Sequence, residues 1–180
     1  MTNRDMPLLV VVQGPPAAGK TTVAREIAQR LRLPLLAKDT VKEALFAGLG
    51  AGDLEWSQRL GVGTYEVLAA LAEESVAAGA SLVLEGNFVR GSDLERRLAA
   101  LPARFVQIHC SAPLALLIER YESRERHPGH VDGERIDGLR EAVESHRHDP
   151  LDLPGETIRI DTSAPVDVVA LADRIASLFD

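Results

Sequence analysis

Short apolar runs alternate along the chain with longer stretches in which apolar residues recur every three or four positions. The short runs are typical of buried β-strands, and the longer stretches are typical of amphipathic α-helices. Five strands are predicted in this way, at residues 8–12, 35–37, 81–84, 104–108 and 157–160. Because strands that alternate with helices form βαβ units, the pattern predicts a three-layer α/β fold with a parallel sheet covered on both faces.

The chain between the first strand and the first helix carries a phosphate-binding motif. Its residues fit the P-loop pattern G-x-x-x-x-G-K-[ST] and are Gly14, Pro15, Pro16, Ala17, Ala18, Gly19, Lys20 and Thr21. The two glycines let the backbone curl so that its N–H groups point inward, and the following helix adds the positive end of its dipole. Lys20 is expected to reach the β- and γ-phosphates of a nucleotide, and the Thr21 hydroxyl to ligate Mg²⁺. The alternative is a glycine-rich turn that binds no ligand.

Two carboxylates follow predicted strands at the sheet edge where parallel α/β proteins bind ligands. Asp39 follows the second strand, and Thr40 with Glu43 fits a capping box, which predicts a helix capped by Thr40 and an Asp39 side chain free to act on a ligand. Alternatively, Asp39 caps that helix or complements its dipole. Glu85 ends the third strand, where a buried carboxylate is costly unless it meets a cation. It is therefore a candidate Mg²⁺ ligand, directly or through water, and a solvated strand end is the alternative.

A basic segment follows the fourth strand. Arg120 and Arg124 lie four residues apart, and such a like-charge pair is natural on a helix if a phosphate lies between them; a solvated helix face is the alternative. Pro128 and Gly129 then break the helix, which predicts a mobile lid at about residues 124–133 that closes over the nucleotide. A metal site is the less favoured interpretation of the histidines in and after this segment, which are His127, His130, His146 and His148.

Several other features predict scaffold rather than chemistry. A long helix is expected near residues 57–78; Trp56 precedes it and Tyr65 lies within it. Both aromatic side chains are interpreted as packed core, and the alternative is that they line an acceptor pocket. Ser92 with Glu95 forms a second capping box. Cys110 is interpreted as an ordinary residue at a strand end.

Length, cysteine count and charge narrow the class of protein. The 180 residues are expected to form one domain, residues 1–180, and the single cysteine can form no internal disulfide. The chain shows neither the pattern of a signal peptide nor the roughly 20 apolar residues that span a bilayer, so a cytoplasmic protein without membrane contact is expected. A formal net charge of −7 disfavours a broad nucleic-acid surface.

With these residues placed, the chain resembles the small P-loop kinases grouped with polynucleotide kinase, chloramphenicol phosphotransferase and zeta toxins. The resemblance implies a five-stranded sheet of order 2-3-1-4-5 with a small helical lid, ATP on the P-loop, and an acidic residue that receives the proton of the acceptor hydroxyl, here Asp39. It also implies that Arg120 and Arg124 of the lid contact the phosphates. The turn after the last strand would lie near the adenine, and its matching residues are Asp161, Thr162 and Ser163. Glu85 stands where many P-loop proteins carry Asp.

We therefore expect an ATP- and Mg²⁺-dependent phosphotransferase that acts on a hydroxyl of a small molecule. Lys20, Asp39, Arg120 and Arg124 would carry the chemistry, and the residues expected to bind the nucleotide extend from the P-loop to Thr22 at the start of the helix. One alternative is a regulatory nucleotide-binding NTPase without a phosphoryl acceptor. Another is a kinase acting on a nucleic-acid end, which the acidic charge balance disfavours.

Overall fold

The computed structural model describes residues 6–50, 52–123 and 136–178 of the chain. The strands are β1 (Leu8–Gln13), β2 (Leu35–Ala37), β3 (Leu82–Gly86), β4 (Arg104–Ser111) and β5 (Glu156–Asp161). The helices are α1 (Lys20–Leu31), α2 (Lys38–Leu49), α3 (Leu54–Ala77), α4 (Asp93–Ala99), α5 (Leu114–Ser123), α6 (Ile136–Glu144) and α7 (Val168–Ser177). Within these residues, no helix combines the length and apolar character needed to cross a membrane.

The five strands form one parallel sheet with the order β2-β3-β1-β4-β5. This confirms the predicted α/β class and the strand order 2-3-1-4-5 that the resemblance implied. β1 lies at the centre of the sheet and is buried along its whole length. An apolar run without alternation, such as residues 8–12, forms a central strand because helices cover both faces of a parallel sheet.

Each face of the sheet packs a separate hydrophobic core, because successive residues of β1 point to opposite sides. One core joins Val10 to Ile27 of α1 and Ile175 of α7. The other core joins Val11 to Leu68 of α3. Helices packed on both sides hold the sheet in place, and the carboxyl ends of its strands are then available at one edge for a binding site.

The junction between β2 and α2 differs from the prediction. The helix begins at Lys38, its N-cap is Ala37, and no side chain caps it. The prediction that Thr40 caps this helix is therefore wrong, and Asp39 is not the cap either. The chain passes from strand to helix without a loop, so Asp39 lies in the first helical turn, where its charge complements the helix dipole.

Other boundaries shift by a few residues. α3 begins three residues earlier than expected, because Asp53 accepts a hydrogen bond from the Trp56 backbone N–H at 2.9 Å and caps it. Ser92 caps α4 as predicted and accepts from the Glu95 backbone N–H. The other half of the predicted capping box is different, since the Glu95 carboxylate accepts from the backbone N–H groups of Gly91 and Asp152.

Candidate active site

The P-loop wraps closely around the end of β4. A Cβ atom added to Gly14 would lie 2.1 Å from the carbonyl oxygen of Cys110, and the φ angle of Gly14 is +146°, so only glycine fits. Gly19 and Ala17 also have positive φ angles, of 71° and 62°. For Ala17 this left-handed conformation costs about 1 kcal/mol. The loop therefore holds a strained backbone, which is typical of functional sites.

The start of α1 leaves backbone donors available for an anion. Its N-cap is Gly19, which has no side chain to accept from the first-turn N–H groups. Lys20 opens the helix, is 8% exposed, and donates from Nζ to the carbonyl oxygen of Pro15 at 2.7 Å. Burial lowers the pKa of Lys20, and the nearby carboxylate of Glu85 opposes that shift. This cluster of donors fits the phosphates of a nucleotide.

The two residues predicted to hold Mg²⁺ lie in contact. Glu85 is 3% exposed and forms a side-chain hydrogen bond with Thr21. Burial raises the pKa of Glu85, the Lys20 ammonium opposes the rise, and the Asp39 carboxylate adds to it. A hydroxyl and a carboxylate side by side at the P-loop are the oxygen ligands that Mg²⁺ prefers, so the donor set fits this ion.

Asp39 lies in the first turn of α2, directly after β2, and close to Lys20 and Glu85. Ala37 of β2 pairs with Glu85 of β3, and one residue further a Cβ atom on Gly86 would lie 3.2 Å from the Cβ of Lys38. The Asp39 carboxylate is 3.7 Å from the Lys38 ammonium, and its side chain is 31% exposed. Its charge contributes to the pKa shifts of both Lys20 and Glu85. The structure thus brings together Lys20, Thr21, Asp39 and Glu85.

The turn after β5 lies on the other side of the P-loop. A Cβ atom on Gly19 would be 3.7 Å from the Cβ of Thr162, which is buried. Arg120 donates to the Thr162 hydroxyl at 3.2 Å and to its carbonyl oxygen at 2.7 Å. Asp161 accepts from the Ser163 backbone N–H at 2.8 Å, and this hydrogen bond lowers the pKa of Asp161. The predicted adenine turn and Arg120 therefore form one unit beside the P-loop.

Part of the predicted site lies outside the described residues. This applies to Arg124, to the lid at residues 124–133, and to His127 and His130. Their predicted roles remain predictions. Cys110 is buried within β4, and burial raises the pKa of its thiol to about 12, which supports its interpretation as an ordinary strand residue.

A network of buried polar side chains was not predicted from the sequence. Gln13, Gln107 and His109 project from β1 and β4 and fix the segment 147–151 (hereafter the post-α6 segment). Gln13 Nε2 donates to the Asp149 carbonyl at 3.2 Å. Gln107 donates to the Leu151 carbonyl at 3.0 Å and accepts from the Leu151 backbone N–H at 2.7 Å. His109 Nε2 donates to the His148 carbonyl at 3.0 Å. Polar residues within otherwise apolar strands were the available signal.

Together, the parallel sheet, the P-loop and the acidic edge define a P-loop nucleotide-binding protein of the kinase-like α/β class. Residues 9–146 match the family model described as an AAA domain, and the chain belongs to this family. The chain is similar to a candidate kinase from Chloroflexus aurantiacus J-10-fl, with 38% sequence identity. The crystal structure of that protein matches with a TM-score of 0.86, over 96% of this chain and 98% of the other.

Two further relatives carry kinase names. The cytidylate kinase of Pyrobaculum calidifontis is 35% identical over 82 residues, which is 44% of this chain and 44% of that enzyme, so the chain spans less than half the length of the curated relatives it matches. A shikimate kinase from Acinetobacter baumannii in complex with shikimate is 20% identical, with a TM-score of 0.60 and coverage of 96% and 92%. This last likeness shows the fold alone. The resemblance to small P-loop kinases is confirmed.

Proposed function

We propose that the protein is an ATP-dependent phosphotransferase that moves the γ-phosphate of ATP to a hydroxyl of a small molecule. The observation that carries this proposal is the position of Asp39. Its carboxylate lies near the buried Lys20 and Glu85, yet about a third of the side chain remains exposed. An acceptor could therefore reach a carboxylate located beside the phosphate-binding loop.

The proposed mechanism assigns a task to each of these side chains. When bound, Mg·ATP supplies the phosphoryl group and its leaving group. The backbone N–H groups of the P-loop and the Lys20 ammonium would offset phosphate charge, with Thr21 and Glu85 holding the Mg²⁺. Asp39 would orient the acceptor hydroxyl and accept its proton. Because phosphoryl transfer has a loose transition state, alignment and charge neutralisation account for most of the catalysis.

The remaining groups would act around the nucleotide. Thr162 lies against Gly19 and anchors the Arg120 guanidinium, so Arg120 is held at the margin of the P-loop. From this position we propose that Arg120 and Arg124 contact the phosphates and that the turn formed by residues 161–163 borders the adenine. The acidic net charge of −7 favours a small-molecule acceptor over a nucleic acid.

A screen for ADP release with Mg·ATP tests the proposal. The panel contains D-glucose, D-gluconate, shikimate, cytidine, chloramphenicol and cytidine monophosphate, and mass analysis identifies each product. Asp39→Asn is expected to lower turnover of a hydroxyl acceptor by about 100-fold or more, while the affinity for ATP is retained. Asp173→Asn, a matched change at an exposed position of α7, is expected to leave turnover unchanged. ADP release that no compound accelerates would overturn the proposal and favour a regulatory NTPase.

A nucleotide acceptor is the second candidate, because the curated relatives are cytidylate kinases. The receiving group would then be a phosphate, which carries no proton that a base must remove at neutral pH. Phosphorylation of cytidine monophosphate that persists in Asp39→Asn would favour this candidate. Phosphorylation of a hydroxyl compound that fails in Asp39→Asn would favour the first.

A further inference from the structure

The segment that follows β3, residues 87–90 (hereafter the post-β3 segment), borders the proposed acceptor side of the site. Gly86 packs against Lys38, with 3.2 Å between a Cβ added to Gly86 and the Cβ of Lys38. Asn87 and Asp39 are the next residues of these two adjacent chain segments. β2 and β3 are parallel and paired in register up to Ala37 and Glu85, so Asp39 and Asn87 each follow that last pair by two residues at the same edge of the sheet.

The side chain of Asn87 is held in a fixed orientation by α3. The Tyr65 hydroxyl lies 3.1 Å from Asn87 Oδ1 and 3.2 Å from the Asn87 carbonyl oxygen. The Tyr65 ring also packs edge-on against Phe88, with 6.1 Å between the ring centroids. Since Oδ1 accepts from Tyr65, the Nδ2 group points away from it. Asn87 is only partly buried, and among the described residues its Nδ2 group donates to no protein acceptor.

The rest of the post-β3 segment is fixed from behind by the post-α6 segment. His148 donates from Nδ1 to the Phe88 carbonyl at 2.9 Å, and the Arg90 backbone N–H donates to the Arg147 carbonyl at 3.0 Å. With Tyr65 on Asn87, hydrogen bonds fix residues 87, 88 and 90 of this short segment. A wall fixed in this way is preorganised, which lowers the ordering cost of binding a small molecule.

We propose that Asn87 binds the phosphoryl acceptor, donating from Nδ2 to an oxygen next to the hydroxyl that Asp39 deprotonates. Tyr65 and His148 are positioning residues for this contact. The inference rests on the proposed function and adds the substrate class: the acceptor carries a second oxygen substituent beside the reacting hydroxyl, as polyhydroxylated compounds and hydroxy acids do. A site built to donate to that oxygen rejects acceptors that lack it.

Three variants separate binding from scaffolding, and the acceptor is the hydroxyl compound of the panel that the wild type converts fastest. Asn87→Asp keeps the shape and the oxygen that accepts from Tyr65 but replaces the Nδ2 donor. Asn87→Ala removes both groups. Tyr65→Phe keeps the ring against Phe88 and removes the hydroxyl. The KM for the acceptor, the KM for ATP and the melting temperature are measured for each.

Both Asn87 variants are expected to raise the KM for the acceptor about tenfold or more, with the KM for ATP unchanged. Tyr65→Phe is expected to raise the KM for the acceptor by a smaller factor, because Asn87 remains but is less well oriented. If Asn87→Asp keeps the wild-type KM for the acceptor, the side chain is only a partner for Tyr65 and the inference is overturned while the proposed function stands. If the wild type phosphorylates no hydroxyl compound of the panel, the proposed function and this inference fail together.

Discussion

Lys20 and Glu85 are oppositely charged buried residues at the centre of the candidate site. Burial lowers the pKa of Lys20 and raises the pKa of Glu85, and each residue's charge opposes the shift of the other. Removing one of them would leave the other buried without its counter-charge, which is strongly destabilising. Buried groups with shifted pKa values beside a phosphate-binding motif are characteristic of functional sites.

His148 is expected to make the protein less stable in acid. Burial holds the pKa of His148 at about 4, and the charges of Lys20, Arg147 and Lys38 add to this effect against the hydrogen bond to Phe88. Since the folded-state pKa is below the unfolded value of 6.5, the stabilisation is complete above pH 6.5 and is lost as the pH falls through 4. The loss by pH 4 amounts to about 3 kcal/mol.

Urea unfolding of the wild type and of His148→Asn at pH 7.5 and pH 4 measures this effect. Asparagine can still donate to the Phe88 carbonyl but does not titrate. The free energy of unfolding is therefore expected to fall by about 3 kcal/mol less in the variant than in the wild type. His109, whose pKa burial also lowers, contributes equally to both proteins. Equal losses in the two proteins would refute the assignment to His148.

The sequence identified the residues of local motifs but not those joined by distant contacts. Lys20 and Thr21 follow from the spacing of the P-loop, which is defined within eight residues. His109 and Gln107 instead find their partners 39 and 44 residues further along the chain. Asn87 likewise meets Tyr65 across 22 residues. No local pattern of apolar and polar residues contains these pairings, so they appear only once the fold is known.

At the scale of elements, the connection between β1 and α1 depends on its fit against β4. Gly14→Ala would place a methyl group 2.1 Å from the Cys110 carbonyl in a backbone conformation that alanine avoids. We expect this change to lower the free energy of unfolding by about 3 kcal/mol and to weaken ATP binding, because the loop must move away from β4.

Chemical denaturation and ATP titration of Gly14→Ala check this expectation. Gly63→Ala is the matched control, since Gly63 lies within α3 and an added Cβ atom has nothing within 4 Å. That control is expected to be neutral or slightly stabilising, because alanine favours helices over glycine. Wild-type stability and ATP affinity in Gly14→Ala would show that the close approach of the loop to β4 is not required.

The elements themselves were largely predictable, whereas the junction after β2 was not. All five strands were predicted, and for β1 and β3 the signal was a continuous apolar run, which marks a buried parallel strand. The edge strand β5 shows alternation instead, with Arg159 between Ile158 and Ile160. The capping-box pattern at Thr40 failed because α2 starts at Lys38, directly after β2, so Thr40 already lies inside the helix. Tertiary pairing of Ala37 with Glu85 fixes that start, and a local pattern contains no information on such a pairing.

At the scale of the whole molecule, the strand order explains how separate motifs form one site. β1 lies between β3 and β4, so the P-loop has neighbours on two sides. Asp39 and Glu85 lie on one side of the loop, and Thr162 with Arg120 lies on the other. Parallel strands end at a common edge, which made this gathering predictable from the sequence. The wall formed by the post-β3 and post-α6 segments depends on contacts across the fold and was not predictable.

We propose that residues 14–21 bind the triphosphate of a nucleotide through Lys20 and the loop amides. Calorimetric titration of the wild type and of Lys20→Ala with a non-hydrolysable ATP analogue and Mg²⁺ tests it most directly. We predict saturable binding to the wild type and an affinity at least tenfold weaker in Lys20→Ala, whose melting temperature is measured in parallel. The absence of binding to the wild type, or equal affinity in a folded Lys20→Ala variant, would show that the loop and Lys20 do not bind the triphosphate.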